Sequence, residues 1–76
     1  MAGLSNTIRE LRAAQSMTQQ QLADAIGVTR QTVIAIEGDK YSPSLEVAFR
    51  IAQLFDQPLE TVFQYRDSRP SEKKGR

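Results

Sequence analysis

Apolar residues along this chain recur at helical spacing in five stretches, each bounded by a hydroxyl, an amide, a glycine or a proline. Between residues 17 and 38 two such stretches lie back to back. Thr18 is placed to cap a helix, with Gln21 three residues on to complete a capping box and Met17 and Leu22 to close a hydrophobic staple. Leu22, Ala23 and Ile26 form its inward stripe. Gly27 then predicts a tight turn with positive φ. Val28-Thr29 repeats the opening with Val33 as staple partner, and Gly38 is expected to stop the helix after about Glu37.

The remaining pattern is shorter. Ile8 and Leu11, with Ala14 or Gln15, mark the inner side of a first helix ending near Ser16. Ser5, Asn6 and Thr7 are its possible caps, and Thr7 with Glu10 fits a capping box. Met1 to Leu4 reads as a frayed end. Residues 38–43 are a loop by composition, and Ser44 is placed to cap a fourth helix. Leu45, Ala48, Ile51, Ala52 and Phe55 give that helix its inward stripe. Pro58 breaks it, and Leu59, Val62 and Phe63 suggest a short fifth helix, with Gln64-Tyr65 continuing it or turning extended. The expected architecture is all-α, five short helices folded over residues 1–65.

Two capped helices across a glycine turn form a helix-turn-helix signature, which an ordinary helical hairpin also satisfies. The outer face of the second of them separates these readings. At about 100° per residue, Thr29, Val33, Ile36 and Glu37 share one side, whereas Gln31, Ile34 and Ala35 share the other, flanked by Arg30 and Thr32. Solvated helix faces are usually rich in Glu and Lys; this one has no acid. Arg suits guanine, Gln suits adenine, and Ala or Ile suits a thymine methyl group. The candidates for base or groove contact on this face are therefore Arg30, Gln31, Thr32, Ile34 and Ala35.

Composition narrows the chemistry. Seventy-six residues make one domain, and a chain this short buries only about 60% of its unfolded surface. With no cysteine and no histidine, disulfides, thiolate metal sites and the commonest general base are absent. No metal or cofactor is implied, and carboxylates scattered singly, with no nucleophile–base set, argue against an enzyme. No apolar run reaches the roughly 20 residues of a membrane span, and the start lacks a signal pattern, so a cytoplasmic location is expected.

Charge is unevenly placed. Residues 1–65 carry five basic and seven acidic groups, whereas residues 66–76 carry Arg66, Arg69, Lys73, Lys74 and Arg76 against Asp67 and Glu72. The folded part is thus no indiscriminate phosphate binder. Residues 66–76 read as a disordered basic tail, either an arm for phosphate contact or a solvated end.

These pieces together resemble the XRE family, the Cro and lambda-repressor type of helix-turn-helix domain. The residues that carry the likeness are Ile8-Arg9-Glu10-Leu11-Arg12, Met17-Thr18-Gln19, Leu22-Ala23, Gly27 to Val33, Ile36-Glu37, Tyr41 to Leu45, and Ile51-Ala52. The resemblance covers about residues 6–65. It implies a compact lambda-repressor-like fold with the third helix in the major groove of double-stranded DNA. It implies that Gln19 grips a phosphate and braces that helix, and that Arg12 and Glu37 form a structural ion pair. The candidates for phosphate contact are Thr18, Gln19, Lys40, Tyr41 and Ser42, and the resemblance implies that Thr29 joins the candidates for base or groove contact. The family usually has Asn then Gly after the third helix; here Gly38-Asp39 stands instead, leaving that contact to Lys40 and nearby backbone amides. Tyr41 either braces the loop or touches DNA.

The resemblance further implies a homodimer on a palindrome, with half-site centres about 10 bp apart or a multiple of that. Phe49, Leu54, Leu59, Val62, Phe63 and Tyr65 are spare apolar groups that motivate a dimer seam along the fourth and fifth helices. Completing the core is the competing role, favoured for Val62 and Phe63. The implied function is a small transcriptional regulator, a repressor or autoregulator. The alternative is a protein-interaction module, such as an antitoxin binding a toxin.

Overall fold

The computed structural model describes residues 3–66. In chain order these form β1 (Gly3–Asn6), α1 (Ile8–Ala14), α2 (Gln19–Ile26), α3 (Arg30–Glu37), α4 (Leu45–Leu54), α5 (Leu59–Val62) and β2 (Phe63–Arg66). The five helices enclose Ile8, Leu22, Ala23, Ile26, Val33, Ile36, Ile51, Ala52, Phe55 and Val62, all buried. Leu22, Ala23 and Ile26 from α2 meet Val33 and Ile36 from α3 in that core, which fixes the two helices against each other.

Local chemistry explains the α2–α3 unit. Thr18 Oγ1 accepts from the Gln21 amide at 3.0 Å, and Gln21 Oε1 accepts from the Thr18 amide at 2.8 Å, completing the reciprocal cap. Gly27 ends α2 with φ at 78°, a conformation that costs side-chain-bearing residues about 1–2 kcal/mol. Arg50 of α4 donates to the Ile26 carbonyl at 3.1 Å, satisfying a carbonyl at the end of α2. Thr29 caps α3 through the Thr32 amide at 3.2 Å.

The end of α3 works differently from the sequence expectation. Gly38 does follow the last helical residue, but its φ is −86°, so its freedom is unused. Asp39 is the left-handed residue, with φ at 60°. Aspartate enters this region more readily than most side chains because its short carboxylate bonds locally. The carboxylate also makes a long-range contact, Asp39 Oδ1 accepting from Asn6 Nδ2 at 3.1 Å.

The chain ends depart most. Gly3 and Leu4 are not frayed: β1 pairs antiparallel with β2, setting Leu4 opposite Tyr65 and Asn6 opposite Phe63. Gly3 pairs with Arg66, so the ordered fold passes the composition boundary placed after Tyr65. Backbone pairing needs no apolar side chain, which is why composition misses it. The rest of the basic tail lies outside the described residues. Thr7 flanks α1 but makes no capping box with Glu10; its hydroxyl donates to the Thr61 carbonyl at 2.8 Å. Asn6 Oδ1 instead accepts from the Ile8 amide at 3.1 Å. The helix stops at Ala14, and Ala14 and Gln15 are exposed, so Ile8 and Leu11 form the inner side alone.

Two readings of the apolar stripes need correction. Leu45 opens α4 with 67% of its surface exposed, because the first turn overhangs the core. Val62, a seam candidate whose favoured role is the core, is fully buried there, and its carbonyl accepts from the Thr7 amide at 3.0 Å. Leu54, Leu59 and Phe63 are half-buried against the core, whereas Phe49 and Tyr65 stand exposed. Among the described residues no helix is long and apolar enough to cross a membrane.

Candidate nucleic-acid interface

The inner side of α3 is closed and the outer side is open. Val33 and Ile36 are buried, which turns Arg30, Gln31 and Ile34 outward into solvent. Ile34 keeps 40% of its surface. Arg30 and Gln31 make no side-chain hydrogen bond among the described residues, so their donors and acceptors are available. Ala35 is half-buried at the edge of this face. Thr29, which the helical phase puts on the inner side, is exposed because it precedes the helix proper. Its hydroxyl lies 3.0 Å from that of half-buried Thr32, so both serve the helix start.

One carboxylate fixes the pose of α3. Glu37 is the last residue of the helix and its side chain is 1% exposed. Arg12 holds it with two hydrogen bonds, Nε to Oε2 at 2.6 Å and Nη2 to Oε1 at 3.1 Å. The hydrogen bond to Glu37 pushes the Arg12 guanidinium above the ordinary arginine range, against the opposing effect of desolvation. A third donor of Arg12, Nη1, reaches the Met17 carbonyl at 2.8 Å, just ahead of α2. Gln19 Nε2 also donates to Glu37, at 3.2 Å. An amide nitrogen carries two N–H bonds, so one of them remains for a ligand.

The candidates fall into two groups. Thr18, Gln19 and Arg30 line one open concavity together with Arg12 and Gln20, where the starts of α2 and α3 come side by side. Among the described residues Arg30 is its free cation, because Arg12 is spent on Glu37. Gln20, absent from the sequence reading, belongs here, although its amide also bonds Asp24 at 2.9 Å. The run Gln19-Gln20-Gln21 was the available signal: one glutamine caps, one braces and one faces out. Lys40, Tyr41 and Ser42 are exposed on the loop after α3 and line a separate depression with Asn6, Asp39 and Pro43. Asn6 sets that loop by donating to the Ile36 carbonyl at 2.8 Å as well as to Asp39.

An exposed, acid-free helix face behind a glycine turn, locked by a buried ion pair, coincides with the part of the chain that known proteins share. A helix-turn-helix family profile matches residues 8–62. The chain belongs to this XRE-type helix-turn-helix family. An uncharacterized HTH-type transcriptional regulator of Methanocaldococcus jannaschii is 47% identical over 64 residues, spanning 84% of this chain and 97% of its own. The transcriptional repressor RstR of the cryptic phage CTXphi from Vibrio cholerae is 30% identical over 69 residues, 91% of this chain and 62% of its own length. Among solved structures, the restriction-modification controller protein C.AhdI of Aeromonas hydrophila superposes with a TM-score of 0.65 at 30% identity, covering 71% of this chain and 82% of its own. As a member of this family the protein is a transcriptional regulator with a DNA-binding domain, a non-enzymatic class.

Proposed function

We propose that this regulator binds double-stranded DNA as a homodimer on a palindromic operator, reads the major groove with α3, and acts as a repressor or autoregulator. The observation that carries this reading is the outward side of α3, where Arg30, Gln31 and Ile34 are exposed with no acid among them. Gln31 is central on that side and matches adenine in a bidentate contact, while Arg30 suits guanine or a phosphate. Thr18, Gln19, Lys40, Tyr41 and Ser42 supply backbone contacts on either side, fixing register without reading sequence. Residues 1–65 carry an excess of acids, so the folded part of one copy has little general attraction for phosphates. Two copies on a repeat double the specific contacts, with half-sites about 10 bp apart or a multiple of that.

Selection of bound duplexes from a random pool tests the reading. An inverted repeat should emerge, and affinity for it should fall with salt at a log–log slope of about −0.9 per phosphate neutralised. Failure to enrich any sequence, or an affinity indifferent to salt, counts against it.

A further inference from the structure

Six large apolar side chains are exposed among the described residues, and Ile34 is the one that belongs to α2 or α3. Its neighbours on the helix surface are polar. Arg30 and Gln31 precede it by four and three residues, the spacings that set side chains beside one another. Neither makes a side-chain hydrogen bond among the described residues. An aliphatic group is thus framed by two long polar side chains with unspent donors and acceptors. Folding does not account for it. Ile34 is not part of the buried core, and isoleucine is a weaker helix former than alanine, glutamate or lysine.

We infer that Ile34 is a specificity-determining residue that packs on the C5 methyl group of a pyrimidine, one or two base pairs from the pair that Gln31 contacts. The inference rests on the major-groove reading above and names a feature of the operator that follows from it. A side chain of carbon and hydrogen cannot bond a base edge. In the major groove of unmodified DNA the apolar group is the thymine methyl, and the other edges present hydrogen-bond donors and acceptors. Pressed against one of those, Ile34 would strip its water and return no bond, so it selects against them as well. Ala35, the other apolar residue near this face, is half-buried and short. The spacing gives the distance. Ile34 lies three residues beyond Gln31, about 4.5 Å along the helix axis, and base pairs follow one another at about 3.4 Å.

The same chemistry extends to modified DNA. Cytosine at that step lacks the methyl group and presents an N4 donor, so it is a poor replacement for thymine. Methylation at C5 restores the group that Ile34 packs against. Binding at that step therefore responds to cytosine methylation, with the methylated duplex bound more tightly than the unmethylated one.

Equilibrium binding of the full chain to its selected duplex tests the proposal, with each thymine in turn replaced by deoxyuridine, which removes only the methyl group. Circular dichroism checks that Ile34→Ala is folded. The wild type should lose about fourfold in affinity at one thymine of each half-site, the worth of one buried methyl group. In Ile34→Ala the same replacement should change affinity by less than about twofold. With cytosine at that position, C5 methylation should regain the loss for the wild type and not for Ile34→Ala. A wild type indifferent to every deoxyuridine overturns the role of Ile34, while selective binding that Gln31→Ala relaxes keeps the groove reading. A deoxyuridine effect that persists in Ile34→Ala assigns the methyl group to another residue and overturns it too. A chain that selects no duplex overturns the groove reading together with the inference.

Discussion

Gln19 donates a 3.2 Å hydrogen bond to Glu37, so the residue that opens α2 is tied to the residue that closes α3. Arg12 holds the same carboxylate from α1. Three helices therefore meet at one buried charge, and the orientation of α3 depends on it.

Removing either ionic partner should be costly. Arg12→Met strands a buried carboxylate, and Glu37→Met strands a guanidinium whose side chain is only 14% exposed. Each should lose about 3–5 kcal/mol in urea unfolding, and the double variant should lose much less than the two combined. Arg9 lies 3.9 Å from Glu37 but is 72% exposed, so Arg9→Ala should cost under about 1 kcal/mol.

The raised position of Arg12 gives a pH expectation. A basic group lifted above its unfolded value contributes fully below that value and loses its contribution only as pH rises through the folded one. The stability gap between wild type and Arg12→Met should therefore be the same at about pH 7 and pH 9. A gap that narrows over that range would contradict it.

Left-handed helix ends offer stabilising changes. Ser16 and Asp56 both sit at φ 54° just after a helix. Ser16→Gly and Asp56→Gly should each raise stability, by up to about 1 kcal/mol, because glycine adopts this conformation without steric cost. Gly27→Ala should lower it by about 1–2 kcal/mol through backbone strain, since the added carbon would meet only Arg50 Nη1 at an ordinary 3.4 Å. Thermal melts check all three.

Base reading and backbone gripping should separate in binding assays. Gln31→Ala should weaken discrimination at one base pair by about 1–3 kcal/mol while leaving folding untouched. Gln19→Ala should weaken every duplex alike, and should also loosen the Glu37 anchor. Equal losses on matched and mismatched sites for Gln31→Ala would remove it from the reading set.

Asn6 joins the ribbon to the loop after α3. It bonds the Ile8 amide, the Ile36 carbonyl and the Asp39 carboxylate. Asn6→Ala should cost about 1–3 kcal/mol, because the part-buried Ile36 carbonyl loses a donor. Amide exchange should quicken around Asp39 and Lys40 more than in α2.

The helices were legible because caps and apolar spacing act within a few residues. Thr18, Gln21 and Gly27 announce α2 by local chemistry alone. The ribbon was not legible, since Gly3–Asn6 has no alternation and its partner lies some sixty positions away. Leu45 misled because helical phase places it inward, whereas the first turn of α4 extends past the core. Gln31 and Ile34 were readable as outward because Val33 and Ile36 had to be inward. The cap role of Thr29 was readable as well, because Val28-Thr29 repeats the opening of α2, whereas the approach of the Thr32 hydroxyl to it was not.

Val33 and Ile36 fill the core and Glu37 anchors α3, whereas Arg30, Gln31 and Ile34 face solvent. The two roles are divided between opposite sides of eight residues. On the proposed reading, rewriting the three outward positions would change the DNA target while leaving the core untouched, so descendants of such a gene can part ways in target without first surviving a misfolded ancestor.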